Sequence, residues 1–487
     1  MANFKHYQGG FIINSEIYRV PPNYFSYWRS FAYLISAFVL AYFLWAPYFS
    51  SEPEDSLEYQ VDTLLVVSES DLAFYDALEM TTPLERQIQA AFWGSKEDLY
   101  RSWIESYSDF YTWQRERGDN TLGTQLRLAI LYAEQGEAAA ATAEMAAIKS
   151  SDFANRIIIN LFGYSYGFID REPTVDEIKQ LDTVLAEGWF KSHLIVRLAE
   201  RRGNLDILSA EKERLKQRAE TALSRTTHYL ILSYSLVVIG LLLLVWFVGF
   251  KKGLPPPYLT QGQAAWSVRE GVALWTRYEF LAALYFILVY EYLWWFPLAS
   301  QWGSLLSALP GLWLIHRYLL LPQGLNFITA WGLSPAAFGW QRLVIWTLVI
   351  IAISSLGSFI IQLFLLNFDL DIPWTEGVSE TLFWGSTTEK SLEIIDTVIW
   401  APIVEEILFR GLVYVALRNV FKPLSAAFIT GLLFASLHFY SFSGLVDLIW
   451  VSIVWALAYE RCRSLLPIIL AHSVGNINWA AFWLMMY

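Results

Sequence analysis

The 487-residue chain predicts an all-α fold: a polytopic transmembrane helical bundle of about nine helices with an inserted soluble helical domain. Three observations predict it. Hydrophobic residues make up 55% and charged residues 16%, against roughly 25% charged in a soluble domain. Apolar runs long enough to span about 30 Å of hydrocarbon recur over most of the chain. They break off once, over an acidic stretch: residues 51–228 hold 31 acidic and 19 basic side chains, and 31 − 19 = 12 accounts for the whole net charge of −12. That excess keeps a domain soluble and offers no nucleic-acid surface.

Residues 1–29 are short, polar and slightly basic, and 30–51 is free of charge. This run ends in Trp45-Ala46-Pro47-Tyr48 without a small-residue cleavage site, so 1–51 reads as a signal anchor that is not cleaved. In the soluble domain, 52–228, an amphipathic run over 125–135 ends at Gly136 and an Ala-rich helix follows over 137–148. The pattern recurs at 194–202, ending at Gly203, and 203 − 136 = 67 residues is close to twice a 34-residue helical repeat. The domain therefore resembles a small tetratricopeptide-like (TPR-like) array, and an irregular helical bundle fits the same pattern. A helical-repeat surface makes it a candidate site for a protein partner.

A charged helix over 211–227 leads into the charge-free run 229–250, then Lys251-Lys252 and a Pro255-Pro256-Pro257 linker. Further helices are expected near 279–299, 302–321, 343–367, 394–418, 423–440, 444–460 and 464–486, with an acidic loop of Asp369, Asp371, Glu376 and Glu380 after the third of these. Segment 229–339 thus carries helices and linker, and 340–487 forms a C-terminal helical domain. With the N-terminus cytoplasmic, the basic loops at Lys251/Lys252, His316/Arg317, Arg342, Arg418/Lys422 and Arg461/Arg463 all fall inside, which puts 52–228 outside. The expectation is an integral protein of a bacterial plasma membrane. Cys462, the single cysteine, excludes an internal disulfide and reads as an incidental interfacial residue. Asp396 and Asp447, near outer helix ends, read as solvated.

The chemistry concentrates in 401–410, Ala-Pro-Ile-Val-Glu-Glu-Ile-Leu-Phe-Arg. A charge near a bilayer centre costs roughly 2.5–3.5 kcal/mol on insertion scales, so two carboxylates and a guanidinium here need a reason. Glu406 and Arg410 are four apart and share a helix face, where they can pair. Glu405 lies about 100° around the helix and faces something else. The next helix carries Phe434 and His438, and the last carries His472 and Asn476, each pair again four apart. At 1.5 Å per residue, Glu405, His438 and Asn476 lie about 20–24 Å from the inner charges of their helices, and His472 about 13 Å. They fall in one middle zone. An interhelical charge network is the bland reading of this set.

Glu-Glu-x-x-x-Arg, Phe-x-x-x-His and His-x-x-x-Asn, in this order on successive helices, are similar to the CAAX protease and bacteriocin-processing (CPBP, Abi) family of intramembrane endopeptidases, related to the type II CAAX prenyl endopeptidases. The resemblance covers 340–487. It implies that Glu405 and His438 bind and activate the attacking water, that His472 and Asn476 stabilise the oxyanion, and that Glu406 with Arg410 is a structural brace, with Phe434 supporting. A buried carboxylate as general base and an amide with an imidazole as oxyanion donors agree with this. The Glu405, His438 and His472 set also suits a zinc ion with a bound water, which stays open at this level. The expected substrate is a membrane-associated protein or peptide within the lipid bilayer. The competing expectation is a non-catalytic scaffold or immunity protein on the same fold. No His-Glu-x-x-His, Gly-x-Gly-Asp or Gly-x-Ser-x-Gly motif points to another protease class.

Overall fold

The computed structural model describes residues 26–50, 56–83, 86, 95–119, 121–148, 153–250, 254, 266–292, 303–366, 368, 370, 379–438 and 440–486. They are helical throughout, with no strand among the described residues. The basic pair Lys251-Lys252, the proline linker and Asp369, Asp371 and Glu376 lie outside the described residues. The chain divides into two compact units, Met1–Leu57 with Ile231–Leu484, and Glu58–Leu230 with Met485–Tyr487.

In chain order the helices are α1 (Tyr27–Ser50), α2 (Ser56–Glu79), α3 (Lys96–Arg117), α4 (Leu122–Gln135), α5 (Ala138–Ala147), α6 (Phe153–Ser165), α7 (Val175–Lys179), α8 (Trp189–Arg202), α9 (Leu205–Gly249), α10 (Val268–Tyr292), α11 (Gly303–Ile315), α12 (Trp340–Leu366), α13 (387–417), α14 (Pro423–Ser436), α15 (Phe442–Cys462) and α16 (Leu466–Met486). Among the described residues six helices are long and apolar enough to cross a membrane, and Pro423–Ser436 is a shorter apolar one. The protein is an integral membrane protein.

The acidic unit is built of helix pairs. Gly136 and Gly203 both end their helices in the left-handed region, at φ 89° and 66°, where a glycine meets no Cβ penalty. Each takes up freed carbonyls in the same way: Gly136 N–H to Ala133 O and Glu137 N–H to Tyr132 O, Gly203 N–H to Glu200 O and Asn204 N–H to Ala199 O. Apolar faces pack around Leu126, Ile130, Leu161, Trp189 and Leu198. A charged core runs through them. His193 lies 3.3 Å from Asp76 and 3.6 Å from Glu134, Trp189 Nε1 donates to Asp76 at 2.7 Å, and Arg197 and Tyr166 donate to Glu134 at 2.7 and 2.8 Å. Burial alone would push the His193 imidazole down and the Glu134 carboxyl up. The facing charges win, so His193 is raised above its ordinary value and Glu134 and Asp76 are held below theirs.

In the membrane unit, α10 starts eleven residues before the expected 279, since 279 − 268 = 11. Arg269, Glu270 and Arg277 masked its beginning in hydropathy. Arg277 is buried, donates to Ala273 O at 2.6 Å, and stacks 4.8 Å over the Tyr33 ring of α1, which makes its charge tolerable. Antiparallel to α10 runs α13: Trp266 Nε1 donates to Leu412 O at 2.9 Å and Asn419 Nδ2 to Trp266 O at 2.7 Å. On the other side, the Trp331 indole donates to Gly411 O at 3.1 Å. A Cβ at Gly411 would fall 2.7 Å from that nitrogen, so only glycine lets the indole in. The C-terminal ends of α13 and α15 are clamped where Arg418 donates twice to Glu460, both at 3.0 Å.

Two readings are corrected. Asp447 is not a solvated helix end: α15 begins at Phe442, capped by the Ser441 hydroxyl, so Asp447 lies inside it, with Oδ1 buried and without a hydrogen bond among the described residues. Cys462 is fully buried, its thiol donating to Ser464 O at 3.2 Å.

His193 carries a pH prediction. Its raised pKa contributes stability that is fully present below its ordinary value of 6.5 and lost as pH rises through the folded-state value. Hydrogen exchange of the full chain should show protection over 122–202 falling as pH rises past that range. His193→Gln should lower protection at pH 6 and flatten the dependence.

Candidate functional site

The site is assembled on a helix that leaves α-geometry twice. Within α13, Asp396–Trp400 and Glu406–Tyr414 are π-helical, separated by the α-segment Ala401–Glu405. Such i→i+5 stretches are rare and concentrate at functional sites. Ala401 N–H bonds Asp396 O in this wider pattern. The next bond in register would run to Thr397 O from residue 402, which is Pro402 and has no N–H. Asn476 of α16 fills the gap, its amide donating to Thr397 O at 2.6 Å. The proline thus creates the acceptor that ties Asn476 beside the helix turn carrying Glu405.

Glu406 is the hub. Its Oε1 accepts from Arg410 Nη1 at 2.9 Å and lies 3.0 Å from His472 Nδ1, with both Glu406 and Arg410 wholly buried. Arg410 also donates to Ser452 Oγ at 2.7 Å. Its guanidinium sits 4.6 Å from the Phe434 ring and 4.9 Å from the Trp455 ring, so its faces meet π-clouds and its two Nη groups meet oxygens, while Nε makes no hydrogen bond among the described residues. An ionised Glu406 only accepts, so His472 Nδ1 carries the proton toward it. That leaves His472 Nε2 facing Glu405 Oε2 across 3.7 Å. Glu405 is 27% exposed while its Oε2 is buried without a hydrogen bond among the described residues. It is the carboxylate turned away from the brace.

His438 stands at the C-terminal end of α14, where helix carbonyls are unpaired. Its Nδ1 is 2.8 Å from Phe434 O and donates to it, leaving Nε2 as the acceptor. The Phe434 ring contacts both imidazoles, 4.6 Å from His438 and 6.4 Å edge-on to His472. Glu405, Glu406, Arg410 and His472 therefore form one polar cluster, His438 joins it through Phe434, and Asn476 joins it through Thr397. Among the described residues no three His, Cys, Asp or Glu side chains stand together so as to hold a metal ion.

Ser452, Trp455 and Thr397 went unread in the sequence. Ser452 and Trp455, three apart in an otherwise apolar helix, offered a weak signal. Tyr278 and Glu279 of α10 were missed as well. Gly271 meets Ala416, and seven residues onward along the antiparallel pair both Tyr278 and Glu279 come within electrostatic range of Glu405. A carboxylate inside an apolar helix was the available signal.

Residues 387–478 match the family model described as Type II CAAX prenyl endopeptidase Rce1-like. This C-terminal portion of the chain is thus similar to the CAAX protease family that its three motifs indicated. No curated protein and no solved structure matches the chain.

Removing one partner of a buried ion pair costs about 3–5 kcal/mol, because the other is left uncompensated. Arg410→Met should therefore lower the unfolding midpoint of the detergent-solubilised protein sharply. The double variant Glu406→Leu/Arg410→Met should recover part of that loss.

Proposed function

We propose that the chain is an intramembrane endopeptidase of CAAX type, hydrolysing peptide bonds of membrane-associated protein substrates. The family match over 387–478 supports this activity in general terms. The observation that carries the finer reading is the placing of one buried carboxylate, Glu406, and one partly exposed carboxylate, Glu405, on either side of the same imidazole.

In this reading Glu405 is the general base, taking a proton from a water that His438 Nε2 helps to orient by accepting its other proton. The hydroxide oxygen attacks the scissile carbonyl carbon, and the carbonyl oxygen becomes an oxyanion. His472 stabilises that charge as an imidazolium, because its Nδ1–H is committed to Glu406 and only a second proton makes Nε2 a donor. Asn476 adds the amide N–H that Thr397 O does not use. Protonated Glu405 then returns its proton to the leaving amine. Glu406 and Arg410 act through His472 and touch no reacting atom. No step passes through a metal. The cytoplasmic N-terminus, with 52–228 outside the cell and available to a protein partner, belongs to the same proposal.

Terminal-peptide proteomics of membranes expressing wild type and Glu405→Gln tests the reaction. Membrane-protein fragments that depend on Glu405 are expected, with cleavage reduced by at least about a hundredfold in the variant, in line with loss of a general base. A phenotype that survives Glu405→Gln without any Glu405-dependent fragment would establish the scaffold reading instead. Cleavage by the purified protein should continue in o-phenanthroline, and metal analysis should find less than one zinc per chain; full inhibition with restoration by zinc would overturn the metal-free scheme.

A further inference from the structure

The acidic unit holds a cavity of about 500 Å³ that peptide hydrolysis does not use. Two helix stripes wall it. From α2 come Val66, Glu69 and Ala73, and from α9 come Arg214, Arg218, Thr221 and Arg225, at spacings that put each set on one helix face. Trp189, the first residue of α8, adds an aromatic wall. The volume lies in the range of small-ligand sites.

Its charge runs against the domain around it. In a segment with a twelve-charge acidic excess, three guanidiniums meet here with one carboxylate. That carboxylate is already engaged: Glu69 accepts the backbone N–H groups of Trp189 and Phe190, which open α8. It supplies the cap that Gly188 lacks, and a Cβ on Gly188 would overlap its oxygens. Burial pushes the Glu69 carboxyl up to about 7, so it supplies less than a full counter-charge near neutrality. Arg214 is paired with Glu211 at 2.6 Å, and Arg218 lies within electrostatic reach of Glu69. Arg225 makes no hydrogen bond or ion pair among the described residues. Arginine forks match phosphate oxygens in pairs. Val66, Ala73, Ala222 and the Trp189 ring give an apolar wall beside them. Arg225 also precedes Tyr229, where the charge-free run begins, by four residues or about 6 Å of helix.

We propose that this cavity binds the phosphate of an anionic phospholipid headgroup, with Arg218 and Arg225 as its principal donors. Free phosphate shares the chemistry and lacks the apolar portion.

The full chain, purified in a neutral detergent, is titrated with dihexanoyl phosphatidylglycerol, dihexanoyl phosphatidylcholine and inorganic phosphate, reading the unfolding midpoint and hydrogen exchange. The expected result is a saturable rise with phosphatidylglycerol and protection over 66–73 and 214–225. Arg218→Gln/Arg225→Gln should weaken it by about tenfold or more. Arg115→Gln, at an exposed arginine outside the cavity, should leave it unchanged. Arg218→Lys/Arg225→Lys should restore part of it, and unfolding midpoints without lipid identify any variant that has failed to fold. An equal response to phosphatidylcholine, or an undiminished response in the folded Gln variant, overturns the proposal. Inorganic phosphate binding as tightly as phosphatidylglycerol overturns the lipid as the occupant.

Discussion

The Glu406 carboxylate, wholly buried and shared between Arg410 and His472, is the constraint on which the membrane unit depends. Bare charges at that depth would be expelled or neutralised. Here most of the charged surface has a neighbour, and only Glu406 Oε2 and Arg410 Nε of the pair make no hydrogen bond among the described residues. The guanidinium lies between the Phe434 and Trp455 rings and reaches Ser452, and the carboxylate reaches an imidazole from another helix. Four helices, α13, α14, α15 and α16, are therefore held by one polar knot. Its members come from different helices, so it specifies how they pack as well as stabilising the packing. Truncating any one member strands the others, whereas an apolar replacement of the pair recovers part of that loss.

The same knot fixes the ring. The contact of His472 Nδ1 with Glu406 orients the imidazole, and that orientation turns Nε2 toward Glu405. A second device fixes geometry: Pro402 removes one donor from the wide turn of α13, and Asn476 replaces it from α16. Both devices trade a regular feature, an apolar core or an unbroken helix ladder, for a side chain held in place. Sites built on rigid elements with supported neighbours keep their geometry without reorganising during reaction.

What was legible in the sequence followed from chemistry that hydropathy cannot hide. Charges in an apolar helix, imidazoles and an amide at four-residue spacing, and glycines closing amphipathic runs all have few structural explanations; the structure brings the charges, imidazoles and amide into one neighbourhood and ends two helices at Gly136 and Gly203. The start of α10 was not legible, because Arg277 is stabilised by the Tyr33 ring, a partner far away in sequence. The partners Ser452, Trp455 and Thr397 were invisible for a related reason. A serine or a backbone carbonyl carries no sequence signal until folding sets something beside it. Asp447 was misplaced by about half a turn of helix start, enough to move a side chain from a solvated end to the interior.

The division of labour between the adjacent glutamates follows from these constraints. Neighbouring residues on a helix point in different directions, so one can be sealed into the core while the next keeps contact with a polar space. Glu406 is wholly buried, with Oε1 shared between Arg410 and His472, whereas Glu405 is 27% exposed; Oε2 of each makes no hydrogen bond among the described residues. A carboxylate sealed into the core cannot reach a substrate water, whereas a partly exposed neighbour can. Placing the brace one residue from the proposed base spares the helix a second insertion of charge elsewhere, and exposure is what separates the two carboxylates.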